Sequence, residues 1–196
     1  QDFEDVINHL TNRDDFDFIL HGGDLTDSGI QKEYEWGESI LAKSHLPYVT
    51  IIGNHDAMAN GRAMYSKMFG YYNFHFDYNN TLFIGFNNNN WEYGEDVHDF
   101  VWLEETLAKY PLDQKKIVAC HIPPFDSKRF NQTIQDQFHT LMQRYGVISV
   151  LSGHIHSHAT LTKDAIEYIV IGSVSERSYI SLEMTNSSIS MKKIDV

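Results

Sequence analysis

Phe16-Asp17-Phe18-Ile19-Leu20-His21-Gly22-Gly23-Asp24-Leu25-Thr26-Asp27 decides the fold. The short apolar and aromatic run from Phe16 to Leu20 ends at a glycine pair, the mark of a buried strand that turns sharply at its carboxyl end. Just past that turn stands a carboxylate, Asp24. Upstream, Phe3, Val6, Ile7 and Leu10 fall at i, i+3, i+4 and i+7, which predicts an amphipathic helix over residues 3–13.

Downstream the same alternation repeats. The sequence predicts helices over 31–44, stopped before Pro47, over 97–110, stopped by Pro111, and over 132–145, with Gly146 just past the end. Between them lie predicted strands over 48–52, 117–120 and 147–151, the first ending at Gly53 and the last at Ser152-Gly153. Residues 166–171, 178–184 and 188–194 are strand-like without intervening helices. So are 74–78 and 82–86, joined across Asn79-Asn80 as a hairpin. Helices alternating with short buried strands argue for an α/β sheet covered on both faces. The helix-free tail makes it a mixed sheet or a two-sheet sandwich, in one domain over 1–196.

Polar clusters gather at the strand ends, where open α/β sheets bind ligands. Strand 16–20 leads to Asp24 and Asp27, strand 48–52 to Asn54-His55-Asp56, strand 117–120 to His121, and strand 147–151 to Gly153-His154-Ile155-His156. Carboxylate, imidazole and amide oxygen together suit a divalent transition ion.

In this order the blocks Gly-Asp-x-x-Asp (Gly23–Asp27), Gly-Asn-His-Asp (Gly53–Asp56), His121 and Gly-His-x-His (Gly153–His156) resemble the calcineurin-like metallophosphoesterases over roughly residues 16–172. The resemblance implies a four-layer α/β/β/α sandwich of two mixed sheets flanked by helices. It also implies two divalent metal ions, Mn, Fe or Zn. Asp24 would bridge them, Asn54, His121 and His154 would complete the shell of one, and His156 would bind the other. His55 would face the leaving group. The family's remaining block, Asp-x-His, belongs at the end of a strand ahead of the helix at 3–13, and a βαβ crossover also needs a strand before its helix. The domain is therefore expected to lack its first strand; the competing reading leaves one metal with Asp24 and His156 alone.

Two cations ~3.5–4 Å apart can neutralise a phosphoryl oxygen and make hydroxide available from a bridging water near neutral pH. On this reading the chain hydrolyses small phosphomonoesters or phosphodiesters, with His55 protonating the departing alkoxide. Asp56 either orients the His55 ring or caps the following turn, and Asp27 supports the ligands or caps a helix. His21 and His158 are candidates for the pocket rim, Arg62, Arg129 and Arg177 for a phosphate oxygen, and Trp91 with the Asn87–Asn90 loop for an organic leaving group.

The charge balance narrows the substrate. Fifteen basic against 27 acidic residues give a net charge of −12, which repels a nucleic-acid backbone. No apolar run approaches the ~20 residues of a membrane helix, so the chain is expected to be soluble, whether cytoplasmic or exported. Cys120 is the one cysteine, and its apolar surroundings mark it as a buried thiol rather than a nucleophile. A reading of another class is a binding or scaffold domain that keeps the fold and has lost catalysis.

Overall fold

The computed structural model describes residues 1–90, 92, 98–185 and 189–196; Trp91 and the first residues of the expected elements at 97–110 and 188–194 lie outside them. The chain runs α1 (Asp2–Thr11), β1 (Ile19–His21), α2 (Gln31–Leu41), β2 (Tyr48–Thr50), α3 (Gly61–Phe69), β3 (Phe74–Tyr78), β4 (Thr81–Gly85), α4 (Phe100–Ala108), β5 (Lys115–Ala119) and α5 (Gln132–Arg144). It continues through β6 (Ser149–Ser152), β7 (Ala159–Lys163), β8 (Ile166–Val170), a 3-10 turn (Val174–Glu176), β9 (Ser178–Met184) and β10 (Ile189–Asp195).

Six strands form one mixed sheet in the order β3-β4-β5-β6-β8-β7. The inner four are parallel and the two edges antiparallel. Period-two alternation gives the sheet two apolar faces. Leu82, Ile84, Phe86, Val118 and Val150 pack on Leu103 and Leu107 of α4 and on Phe138, Leu141 and Met142 of α5. On the opposite face, Phe18 from the stretch before β1 meets Phe76, Tyr78 and Phe83 edge-on, with ring centroids 5.6, 5.3 and 5.5 Å apart. That contact seats the second β layer against the first. Beyond it, Val6, Ile7 and Leu10 of α1 and Leu41 of α2 cover Ile19, Tyr48 and Tyr179. The layers thus run helix, sheet, sheet, helix, as expected.

The second β layer comes in two pairs, β1 with β2 in parallel and β9 with β10 antiparallel. Among the described residues no strand joins the pairs. Helix α1 lies against both: Phe3 is 5.6 Å from the His21 ring at the end of β1, and His9 is 5.9 Å from Tyr179 of β9.

Three local features depart from the expected pattern, namely α3, β7 and the turn at His154–His156, while the Asn79-Asn80 hairpin matches it. Helix α3 and strand β7 have no counterpart in the sequence reading. The Asn79-Asn80 turn has φ of 47° and 57°, the left-handed pair that a two-residue hairpin turn requires. His154 and His156 also sit at positive φ, 69° and 57°, so the segment is a turn and His154, His156 and His158 do not alternate along a strand.

Candidate metal centre

Four strand ends converge on one spot, two from each β layer. Beyond β1, Gly22-Gly23 turns the chain so that Asp24 lies beside Gly53; a Cβ on Gly53 would collide with Asp24 Oδ1 and its backbone nitrogen. A Cβ on Gly23 would strike His121 Nδ1. The motif glycines therefore serve contact between ligand-bearing loops. From the large sheet, β5 and β6 hold His121 and His154 in register, with Cys120 N donating to Leu151 O at 3.0 Å and Gly153 N to His121 O at 2.9 Å.

His121 Nδ1 lies 2.8 Å from Gly22 O. A carbonyl only accepts, so Nδ1 carries a proton, and Nε2 faces the cluster, where it either donates to an oxygen acceptor or offers its lone pair to a cation. There it meets Asp24 Oδ2 at 3.1 Å and Asn54 Oδ1 at 3.2 Å. Ligand atoms of Asp24, His121 and His154 all lie within 4.8 Å of one another, a group that could hold a metal ion. Two oxygen acceptors and a ring nitrogen turned on one another repel unless a proton on Nε2 or a cation sits among them, and the mixture of carboxylate, amide oxygen and imidazole fits a borderline divalent ion.

In the metal-free protein the electrostatics favour a proton on His121 Nε2. Burial raises the Asp24 pKa, but the hydrogen bond and charge of His121 and the His55 amide outweigh it and leave the carboxylate below its ordinary value. At His121 burial works against charging; the Asp24 hydrogen bond and charge, with the Gly22 carbonyl, outweigh it and hold the ring above its ordinary value. Burial lowers His154, and the charges of His121 and Arg129 add to this, so its ring is kept neutral, the form that binds metals.

His55 stands at the rim, 42% exposed in its side chain, with its backbone nitrogen donating to Asp24 Oδ1 at 2.9 Å. Its orienting partner is not Asp56. His55 Nδ1 is held by the Asp27 carbonyl at 2.7 Å, and the Asp27 carboxylate lies 3.8 Å away. Asp56, fully buried, accepts from Thr26 N, Thr26 Oγ1 and Gly53 N, each at 2.9 Å. Its carboxylate thus ties the Asp24 loop to the Asn54 loop, and neither the orienting role nor capping of the following turn describes it.

Other candidates disperse. His156 is exposed and outside the three-residue group. His21 packs under α1 beside Phe3. His158 Nε2 is buried without a hydrogen-bond partner among the described residues. Arg177 reaches Asp5 of α1 at 3.5 Å, and Arg62 lies on α3. Arg129 is the arginine whose charge bears on His154; Glu92 holds it at 2.9 Å. Cys120 is buried, and burial pushes its thiol up to about 12, so it is not a nucleophile at neutral pH.

The family model for calcineurin-like phosphoesterases matches residues 1–158, and the chain belongs to that family. Among curated proteins it is 26% identical over 188 residues to the probable glycerophosphodiester phosphodiesterase GpdQ of Arcobacter nitrofigilis, covering 86% of this chain and 66% of the relative. It is 27% identical over 169 residues to the uncharacterized protein YvnB of Bacillus subtilis, covering 71% of this chain and 12% of that protein. The chain therefore spans less than two thirds of the length of either relative. Among solved structures, a dimetal phosphatase from Danio rerio superposes with a TM-score of 0.81 at 11% identity, over 97% of this chain and 84% of the other. That likeness is one of fold.

Proposed function

We propose that this domain hydrolyses small phosphate esters with the help of a divalent ion held by Asp24, Asn54, His121 and His154. The observation that carries the reading is the meeting of His121 Nε2 with Asp24 Oδ2 at 3.1 Å and Asn54 Oδ1 at 3.2 Å, two oxygens and a ring nitrogen converging on one point where an ion would replace the Nε2 proton. Family membership and the resemblance to a named glycerophosphodiester phosphodiesterase support the substrate class.

A bound divalent ion supplies Lewis-acid stabilisation of phosphoryl charge and a nucleophile at neutral pH. The chain's own groups do the rest. Gly22 O fixes the His121 tautomer. The Asp27 carbonyl fixes Nδ1 of His55, which leaves Nε2 to deliver a proton to the departing alkoxide. A second ion would draw on Asp24 and His156.

Metal analysis after reconstitution with Mn or Zn tests the assignment. At least one ion per chain is expected, lost first in Asn54→Ala and His121→Ala, with turnover of p-nitrophenyl phosphate or bis-p-nitrophenyl phosphate following the metal. No retained ion in the reconstituted protein sinks it, and the count per chain separates one site from two.

A further inference from the structure

Asn87, Asn88 and Asn89 follow β4 and are only 4%, 4% and 0% exposed. Burying three amides is costly unless each finds partners. Asn88 Nδ2 donates to Ile122 O at 2.6 Å, and Asn88 Oδ1 accepts from Ile122 N at 3.1 Å. Both backbone groups of the residue next to His121 are thereby taken up by one side chain. Asn89 Nδ2 donates to Ile52 O at 2.9 Å, one residue ahead of Gly53-Asn54, and to Asn87 Oδ1 at 3.0 Å. Asn87 N in turn donates to Asn73 Oδ1 at 2.7 Å.

The geometry points to Asn88 and Asn89 as positioning residues, an amide brace that sets the spacing between the His121 arm of the large sheet and the Asn54 arm of the other layer. The ladder between β4 and β5 runs to Gly85↔Ala119 and closes with Phe86 N donating to Ala119 O at 2.8 Å. Past that point the described main-chain hydrogen bonds between these two segments end. An asparagine side chain carries a donor and an acceptor at the reach of one peptide group, so Asn88 continues the ladder where the main chain cannot. Aspartate would lack the donor, and glutamine would be a methylene too long. Contact with a leaving group needs exposed amides, and these are closed to solvent. That the brace serves a metal rests on the function proposed above; the brace itself is a property of the protein alone.

Two readouts test it. The first is solvent exchange of the His121 Nδ1 proton by NMR in metal-free protein, which reports the bond to Gly22 O. The second is the affinity and visible spectrum of bound Co(II). Relative to wild type, Asn88→Ala is expected to exchange that proton at least ~10-fold faster, bind Co(II) ~10–100-fold more weakly and shift its bands, as for other residues that orient metal ligands. Val147→Ala, a truncation in the core of the large sheet, is expected to leave both readouts unchanged. The brace is overturned if Asn88→Ala keeps wild-type proton protection and spectrum, or if Val147→Ala disturbs them equally. Should Asn88→Ala fail to fold, Asn88→Ser keeps one hydroxyl partner and is expected to move both readouts in the same direction by less; no movement overturns the brace. If wild-type protein binds no Co(II), the metal reading falls, and proton exchange alone decides the brace.

Discussion

His121 and His154 leave from β5 and β6, hydrogen-bonded neighbours in the middle of a six-stranded sheet, whereas Asp24 and Asn54 leave from β1 and β2, strands of three residues each in a two-stranded pair. In the first layer the backbone ladder carries the ligands to within one or two residues of their positions. In the second the ladder runs to His21↔Thr50 and closes with Ile51 N donating to His21 O at 2.9 Å, short of Asp24 and Asn54, and side chains continue it. Asp56 performs that task between the two loops of the short pair, and Asn89 ties the Asn54 loop to the large sheet. Precision at this centre therefore comes from main-chain pairing on one side and from buried side-chain acceptors and donors on the other.

The largest effect expected from breaking this contrast is that of Asp56→Ala. Three donors would be left buried at ~1–3 kcal/mol each, so with partial relaxation a loss of ~3–5 kcal/mol is expected in denaturant unfolding. Ile117→Val in β5 should cost only ~0.5–1.5 kcal/mol, because the ladder around it stays intact. Equal losses in the two variants would show that the layers are held alike.

His55 comes next, since it stands on the loop that Asp56 braces but takes its orientation from Asp27. His55→Ala should leave metal stoichiometry intact, lower turnover on a poor leaving group by ~10²-fold, and lower turnover on p-nitrophenyl esters by less than ~10-fold. Comparable losses on both would remove proton delivery from its role.

The smallest effect is the pH dependence of the metal-free protein. The raised His121 pKa stabilises the fold below the ordinary histidine value of 6.5, and that contribution is lost as pH rises through the folded-state value. The lowered Asp24 pKa stabilises above the ordinary value of 3.8, and its contribution is lost as pH falls through the folded-state value. Thermal midpoints in EDTA should therefore be highest between those two values and decline on the alkaline side. With Mn present the alkaline decline should vanish, because the ion takes the place of the proton on Nε2. A metal-free midpoint that rises steadily above neutral pH contradicts the Asp24–His121 pairing.

Much of this was legible in the chain, and the gaps have physical causes. The strand ends at residues 20, 52, 120 and 151 stood out because each is a short apolar run closed by glycine or histidine, and all of them deliver candidate ligands. Strand β7 was invisible because four of its five residues are exposed, which leaves no apolar alternation to read. Helix α3 begins at a glycine and buries only Gly61 and Tyr65, so its apolar stripe is faint; Tyr65 anchors it through a 2.6 Å bond to Thr50 O. The role of Asp56 could not be read because its partner Thr26 lies 30 residues away, and pairing at that distance leaves no local trace. The asparagine run reads as a loop offering its amides to a leaving group because composition does not reveal that Asn87, Asn88 and Asn89 are buried.

The convergence of four strand ends also fixes when the centre can exist. His121 and Asn54 are 67 residues apart, and His121 and Gly22 are 99 apart, so every contact that defines the site closes a long stretch of chain. Such closures come late in folding because their entropy must be met before they are rewarded. On a ribosome, the segment bearing Asp24 and Asn54 emerges and waits. His154 completes the donor set only after α5 and β6 have docked. On the proposed function, capture of an ion would thus mark a chain whose two β layers have already docked, and shorter chains would compete for metal with an incomplete donor set.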